Sequence, residues 1–394
     1  MIDTAELGSI AQITKLAGYE FTKHIDYIED GEIIAIRALN IKNGQLELTD
    51  IKRISKGVSD SLVRSKLFKN DIILSYTGSK YGDVTIIPEN DKYHLAPNVA
   101  KVTVNEEENP YFYYLLMTSI EFQWYLKNYG VGTGQPTIPM KNIRRIPVAH
   151  PSLDVQNKIV DIIKPINEKI VQNQEINHHL AEIAKSIFDS YFIDLSPYNG
   201  VMPDDWQLSN LTGIANYLNG LAMQKHRPQS NEQGLPVLKI KELRQGFTDS
   251  TSDLCSSNIR RDYIIHDGDV IFSWSGSLLV DFWTGGDCGL NQHLFKVSSE
   301  TYDKWFYYAW TKHHLDRFVK MAADRATTMG HIKRDALEKA EVLIPSNKDY
   351  QEIGNKLKPI YDQIINNRVE SRKLVALRDT LLPKLMSGEI SATD

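Results

Sequence analysis

The sequence predicts a mixed α/β (α+β) chain built twice. It should hold two similar globular domains with twisted β-sheets, separated by two long helices that pair as an antiparallel coiled coil, with internal two-fold pseudo-symmetry. Three observations predict this. The chain matches itself when displaced by about 200 residues. Apolar residues recur at three- and four-residue steps over 154–192 and 349–386. Short β-branched runs bounded by Gly, Asn and Asp fill the stretches between.

The self-match proceeds in order along the chain. "AIRALNIKNGQ" at 35–45 falls on "VLKIKELRQGF" at 237–247, and "DIILSYTGS" at 71–79 falls on "DVIFSWSGS" at 269–277. "YFYYL" at 111–115 meets "WFYYA" at 305–309, "IRRIPVAHP" at 143–151 meets "LEKAEVLIP" at 337–345, and "KPI" at 164–166 meets "KPI" at 358–360. The apolar tail "LRDTLLPKLMSGEIS" at 377–391 echoes "IAKSIFDSYFIDLS" at 183–196. Ordered echoes of this kind indicate a tandem duplication. They divide the chain into a domain over 1–150, a long helix in 151–196, a second domain over 197–345 and a second long helix in 346–394.

Within each domain, runs such as "DIILSY" and "DVIFSW" predict strands, and a helix begins near Tyr111 or Trp305. "NPYF" at 109–112 reads as that helix's start, with Asn109 as N-cap and Pro110 in the first turn. The first long helix carries Ile159, Ile162, Ile166 and Ile170, then Ile176, Leu180, Ile183 and Ile187, along one seam. The second carries Ile353, Leu357, Ile360 and Ile364, then Leu374, Leu377 and Leu381. Each seam contains an asparagine where an apolar residue is expected, Asn173 and Asn367, and facing asparagines would fix register. Pro165 and Pro359 should each interrupt or kink their helix. At about 1.5 Å per residue, the paired helices would make a rod of roughly 60 Å. It would hold the domain centres between one and two turns of B-DNA apart, at about 34 Å per turn.

Bulk properties exclude several classes. A chain of 394 residues with 42% hydrophobic content should be globular and soluble, with two or three domains. Cys255 and Cys288 form neither a disulfide framework nor a CxxC metal pair, which fits a reducing cytoplasm. There is no basic segment followed by an apolar one at the start, and no apolar run of membrane length. The net charge of −5 gives no global sign of nucleic acid, so a basic surface must be local. Catalytic motifs are lacking: there is no Gly-Lys dipeptide for a P-loop, no HExxH and no Cys/His metal cluster. "NPYF" lacks the second proline of an adenine methyltransferase motif, and the glycines of "GVGTG" at 130–134 have no counterpart in "DRATT" at 324–328.

The order domain, long helix, domain, long helix, together with "LRDTLLPKLMSGEIS", "DIILSYTGS", "NQHLFKV" and "GTGQPTI", resembles the specificity subunit of type I restriction–modification systems, over nearly the whole chain. The resemblance implies two target-recognition domains, each reading one half of a bipartite, asymmetric double-stranded DNA sequence. It implies helices that space the domains and dock two methyltransferase subunits, and through them restriction subunits. It also implies that the chain itself is not an enzyme and binds no cofactor, with S-adenosylmethionine, ATP and Mg²⁺ belonging to the partner subunits. The alternatives are a repeat scaffold that binds only proteins, and a self-contained DNA methyltransferase.

Local charge agrees with a DNA partner. Residues 51–80 hold Lys52, Arg53, Lys56, Arg64, Lys66, Lys69 and Lys80 against Asp60 and Asp71. Residues 311–334 hold Lys312, Arg317, Lys320, Arg325, Lys333 and Arg334, plus three histidines, against Asp316 and Asp324. "SYTGSKYG" offers Thr77, Ser79, Lys80 and Tyr81, and "SWSGS" offers Ser275 and Ser277, for close backbone approach and base-edge contact. Before each long helix, "GTGQPT" presents Thr133 and Gln135, and "RATTMGHIKR" presents Thr327, Thr328 and His331. Arg37, Lys141 and Lys239 complete the candidate contacts. Asn291, Gln292 and His293 of "NQHLFKV" read as contacts or as strand-packing residues.

Overall fold

The computed structural model describes residues 3–42, 44–132, 136–323, 332 and 334–392. The chain divides into two compact units, Met1–Ile166 with Leu377–Asp394, and Asn167–Ala376.

Unit 1 contains two four-stranded sheets. One runs in the order Lys52–Ile54, Ile33–Ile36, Tyr93–Leu95, Lys66–Leu67, and the other Ala11–Lys15, Val99–Val104, Ile72–Ser75, Val84–Ile86. Only the pairing of Ile33–Ile36 with Tyr93–Leu95 is parallel; the rest of both sheets is antiparallel. Unit 2 repeats this strand for strand. Its sheets run Leu254–Cys255, Leu235–Leu238, Cys288–Leu290, Ile264–Ile265, and Asn216–Asn219, Leu294–Ser298, Val270–Ser273, Leu279–Phe282. The single parallel pair is again the equivalent one, Leu235–Leu238 with Cys288–Leu290. In each unit a short antiparallel pair joins the domain's ends, Thr4–Glu6 with Pro147–Ala149 and Gln207–Asn210 with Glu341–Ile344.

The duplicated "DIILS" and "DVIFS" strands are buried on both faces, which their unbroken apolar runs require. Their leading aspartates are structural. Asp71 Oδ2 accepts from the Phe68 amide at 2.7 Å and Asp269 Oδ2 from the His266 amide at 2.9 Å. Asn70 and Gly268 supply the left-handed turn residue just before, at φ 74° and 85°. Each aspartate also faces a lysine from the neighbouring strand, Lys101 at 4.0 Å and Lys296 at 2.8 Å. This is why Lys101 and Lys296 sit at equivalent places in otherwise divergent strands.

"NPYF" does begin a helix, Pro110–Thr118, whose Tyr111 and Phe112 amides donate to Asn109 Oδ1. Asn109 is itself anchored on the first long helix, through Gln156 and Asn157.

The long helices are Leu153–Phe188 and Asn347–Ser387, and both run without interruption through Pro165 and Pro359. The expected interruption is absent, and apolar residues on either side of each proline are buried. Ile163 and Leu357 are fully buried, and Ile170 and Tyr361 nearly so. In unit 1, Ile159, Val160 and Ile163 share a core with Leu382 and Leu385, while Leu381 and Met386 pack on its edge. In unit 2, Ala184 and Phe188 share a core with Ile353, Leu357 and Ile364, with Leu180, Ile187 and Ile360 against it. The echoing segments 183–196 and 377–391 thus end on equivalent cores. Ile162, Ile176, Ile183 and Leu377, expected in the seam, are exposed. A turn of about 100° per residue places Ile162 and Ile183 beside the face that buries Ile163 and Ala184 rather than on it.

Within unit 2 the two helices run antiparallel and meet in a polar layer. Asn173 Nδ2 donates to Glu370 at 2.7 Å and to Ser371 at 3.2 Å, and Asn367 Nδ2 donates to Asn177 Oδ1 at 2.9 Å. Asn173 and Asn367 are buried, 1% and 4% exposed, and they meet as expected, with Asn173 Nδ2 donating to the Asn367 carbonyl at 3.4 Å, while their other partners lie one turn along the opposite helix. Two arginines at i, i+4 bind the second helix to the unit 2 domain: Arg368 pairs with Asp281 at 2.8 Å, and Arg372 grips Asp267 through two 2.8 Å bonds.

His314, 8% exposed, stacks on Trp310 and its Nε2 lies 2.8 Å from the Glu341 carbonyl. Burial pushes its pKa down to about 4, against the opposing pull of that carbonyl. The unfolded chain, with histidine near pH 6.5, takes up the proton first, so this contribution is complete above pH 6.5 and is lost as pH falls toward 4. A unit 2 destabilisation of roughly 3 kcal/mol over that window is expected from the shift. Denaturant titrations at pH 7 and pH 4 should show the loss shrinking in His314→Phe; an unchanged difference would count against it.

Candidate nucleic-acid interface

The two loops singled out in the sequence occupy equivalent positions, each leaving the end of a buried central strand. Ser75 and Ser273, both fully buried, turn their hydroxyls into the loop that follows. Ser75 Oγ reaches the Thr77 carbonyl at 3.5 Å, and Ser273 Oγ donates to the Ser277 carbonyl at 2.8 Å. Gly78 and Gly276 take positive φ, 85° and 65°, at the loop tips. The first serine and the glycine of the pattern are therefore folding requirements of the loop, and the side chains it displays are a separate matter.

In unit 1 the loop lies against the segment preceding the first long helix. Thr77 bridges Thr137, the Gly78 amide donates to the Pro136 carbonyl at 3.1 Å, and the Ile138 amide donates to the Tyr76 carbonyl at 3.0 Å. Unit 2 keeps the last of these contacts, with the Ile332 amide donating to the Trp274 carbonyl at 3.1 Å. Sequence positions some 60 residues apart are thereby brought together. Between the loop and the helix Ile120–Tyr129 lies an open cleft of about 610 Å³, lined by Gly78, Ser79, Tyr81, Lys127, Gly130, Gly132 and Pro136. Tyr81 Oη closes one side by donating to the Leu126 carbonyl at 2.5 Å, and burial pushes the phenols of Tyr76 and Tyr81 up from their ordinary pKa.

The candidate residues sort into several groups. Ser79, Ser277, Lys52, Lys141 and Arg334 are exposed; Thr77, Lys80 and Tyr81 are half-buried. Lys80 lies 3.8 Å from Asp83. Ser275 is 2% exposed, with Oγ 3.1 Å from His293 Nδ1, so its hydroxyl positions an imidazole. Three cations are engaged within their own unit: Arg37 with the Asp50 carboxylate at 3.1 Å and its carbonyl at 2.6 Å, Arg53 with the Gly31 carbonyl at 3.2 Å, and Lys239 with Asp253. Of the basic run 51–80, Lys56 and Lys66 share Asp60, while Lys52, Arg64 and Lys69 are exposed with no carboxylate partner among the described residues. Thr133, Gln135, Arg325, Thr327, Thr328, His331 and Lys333 lie outside the described residues. Asn291 is buried, and its Oδ1 accepts from the His293 amide at 3.3 Å.

Sequence reasoning passed over Lys15 and Lys127. Lys127 is exposed on the cleft wall, and Lys15 ends an edge strand with its Nζ 5.3 Å from the centroid of the Tyr76 ring. Only the register Lys15–Ala100–Leu74 brings that lysine to the loop, and isolated lysines at strand ends carry no signal of it. Among the described residues, no group of three or more His, Cys, Asp and Glu is placed to hold a metal, and no helix is long and apolar enough to cross a membrane.

A domain present twice, with the same two four-stranded sheets and matching surface loops, defines a protein of duplicated architecture. The chain belongs to the type I restriction modification DNA specificity domain family, whose pattern matches it twice, over residues 2–182 and 203–373. It is 25% identical to the type I restriction enzyme MjaIX specificity subunit of Methanocaldococcus jannaschii, over 97% of this chain and 90% of that one. It is 20% identical to the HindI specificity subunit of Haemophilus influenzae, over 98% of each. The crystal structure of a type I restriction–modification S subunit from M. genitalium has the same fold, with a TM-score of 0.62 at 14% identity, covering 98% of this chain and 96% of that one.

Proposed function

We propose that this chain is the non-catalytic, sequence-reading subunit of a type I restriction–modification enzyme. The domains of 1–150 and 197–345 each read one half of a bipartite, asymmetric site in double-stranded DNA. The helices in 151–196 and 346–394 space them and dock two methyltransferase subunits, through which restriction subunits join. S-adenosylmethionine, ATP and Mg²⁺ are bound by those partners, and the assembly works in the cytoplasm. The observation that carries this reading is the duplication of the two four-stranded sheets, which gives two domains a loop of the same construction at the same point. Two such loops with different side chains suit two different half-sites.

The test maps adenine methylation in a strain carrying the partner subunits with and without this chain. Methylation at one split site only when the chain is present is the expected result. Methyl transfer by the purified chain alone, or a map indifferent to it, would overturn the assignment. The purified chain should also bind duplex DNA in a strongly salt-dependent way, and Lys52→Ala should lower the slope of log K against log salt by about one unit without changing sequence preference, as loss of one phosphate contact requires. A salt-independent association would favour a scaffold that binds only proteins.

A further inference from the structure

The two reading loops have the same construction but opposite chemistry at one matched position. In unit 1 the edge strand Ala11–Lys15 ends beside the loop, with Lys15 paired to Ala100 and Ala100 to Leu74, two residues before Tyr76. In unit 2 the edge strand Asn216–Asn219 ends at the same point, with Asn219 paired to Phe295 and Phe295 to Phe272, two residues before Trp274. Residues 15 and 219 are thus structural equivalents, as are 76 and 274. Each edge residue meets its aromatic. Lys15 holds an ammonium 5.3 Å from the Tyr76 centroid, whereas Asn219 Oδ1 accepts from Trp274 Nε1 at 3.1 Å.

The surroundings extend the contrast. Lys15 is exposed and has no carboxylate partner among the described residues. Trp274 stacks on Phe295 with centroids 5.6 Å apart and stands beside His293. That imidazole is fixed by Ser275 Oγ at 3.1 Å on Nδ1 and by Gln292 Nε2 at 3.3 Å on Nε2. Gly220, just after Asn219, admits no side chain, since a Cβ there would lie 2.2 Å from the Asn291 carbonyl oxygen. The amide, imidazole and indole are therefore held together by hydrogen bonds and ring contacts as one array. The unit 1 residue in His293's place, by the same register, is Asn98, whose carbonyl is taken by the Tyr76 amide at 3.2 Å.

We propose that this matched position divides the labour of DNA recognition between the units. Lys15, propped on Tyr76, contacts a backbone phosphate of the first half-site, and the array Asn219–Trp274–His293 reads base edges in the second. A compact ammonium on a flexible stem suits a phosphate as a point charge, without the fixed donor geometry of a guanidinium or amide. Oriented amides and imidazoles discriminate among the donors and acceptors of the groove. The proposal rests on the DNA-reading function above and deepens it.

The test uses the full chain and a pool of short duplexes randomised in sequence, sequencing the bound fraction at two salt concentrations. Lys15→Met should weaken binding to all sequences alike and make the slope of log K against log salt shallower by about one unit, leaving position preferences intact. Asn219→Ala and His293→Ala should leave that slope unchanged and cut discrimination about tenfold at one or two positions of a single half-site. Lys15 and Asn219 are exposed and His293 is half-buried, so coincident thermal unfolding with the unmodified chain is the check that each variant keeps the fold. A changed base preference in Lys15→Met, or a uniform loss with a changed salt slope in Asn219→Ala, would overturn the division. Absence of any effect would overturn it as well. Failure of the unmodified chain to select any sequence would instead remove the DNA-reading function itself, and the division with it.

Discussion

A chain ending at Ala376 is expected to lose unit 1 as a cooperatively folded body while keeping unit 2. Residues after 376 are few, yet Leu382 and Leu385 are 8% and 3% exposed in the core that also holds Phe112, Ile143 and Ile159. Leu→Ala at a buried site costs about 2–5 kcal/mol, and removing the whole segment opens a much larger cavity than that. A domain's net stability is only about 5–15 kcal/mol, so two such losses consume most of it. Hydrogen exchange would report the outcome by unit. The amides of Ile72–Ser75 should lose protection and those of Val270–Ser273 should keep it, with Leu385→Ala giving an intermediate loss. Full protection of Ile72–Ser75 in the shortened chain would show that unit 1 does not need the segment.

Asp71→Ala is expected to destabilise unit 1 by about 3–5 kcal/mol, the usual consequence of leaving a buried charge without its partner. Asp71 is 3% exposed and serves three groups: the Phe68 amide at 2.7 Å, Thr103 Oγ1 at 2.5 Å and Lys101 Nζ at 4.0 Å. Lys101, 8% exposed, has its pKa lowered by burial, which Asp71 opposes. Without the carboxylate that ammonium keeps the Lys66 carbonyl at 2.8 Å and the Phe68 ring at 5.9 Å, neither of which carries a compensating charge. Replacing both members, Asp71→Ala with Lys101→Met, should recover part of the loss because no buried charge is left. The equivalent pair in unit 2 is more exposed, with side chains 19% and 23% accessible, so Asp269→Ala should cost less. Denaturant unfolding of the three variants checks this, and equal losses for Asp71→Ala and the double variant would show that the charge on Lys101 is not the cause.

The candidate site was legible only in part. The loops "SYTGSKYG" and "SWSGS" are visible because their folding demands, a buried serine hydroxyl and a glycine at positive φ, are local and recur in both copies. What a loop touches is not local. Lys239 and Arg37 look like free cations in sequence, yet each finds a carboxylate, Asp253 and Asp50, 14 and 13 residues away. Ser275 looks like a contact and is buried beneath His293. Conversely, Lys15 carries no motif and is brought to Tyr76 solely by the pairing of three strands.

The sequence by itself determined the duplication, the presence of the two long helices, the strand that precedes each loop and the capped start of Pro110–Thr118. These rest on periodicity, turn chemistry and self-similarity, which act over a few residues and survive divergence between the copies. The tertiary structure alone decided that Ile162, Ile176, Ile183 and Leu377 stay exposed, that both helices pass through their prolines, and that the segment 377–386 completes a core begun more than 200 residues earlier. Those outcomes depend on which surfaces of distant segments come together. A helix's apolar residues state that one face will be buried, but the width and direction of that face are set by the partner that covers it.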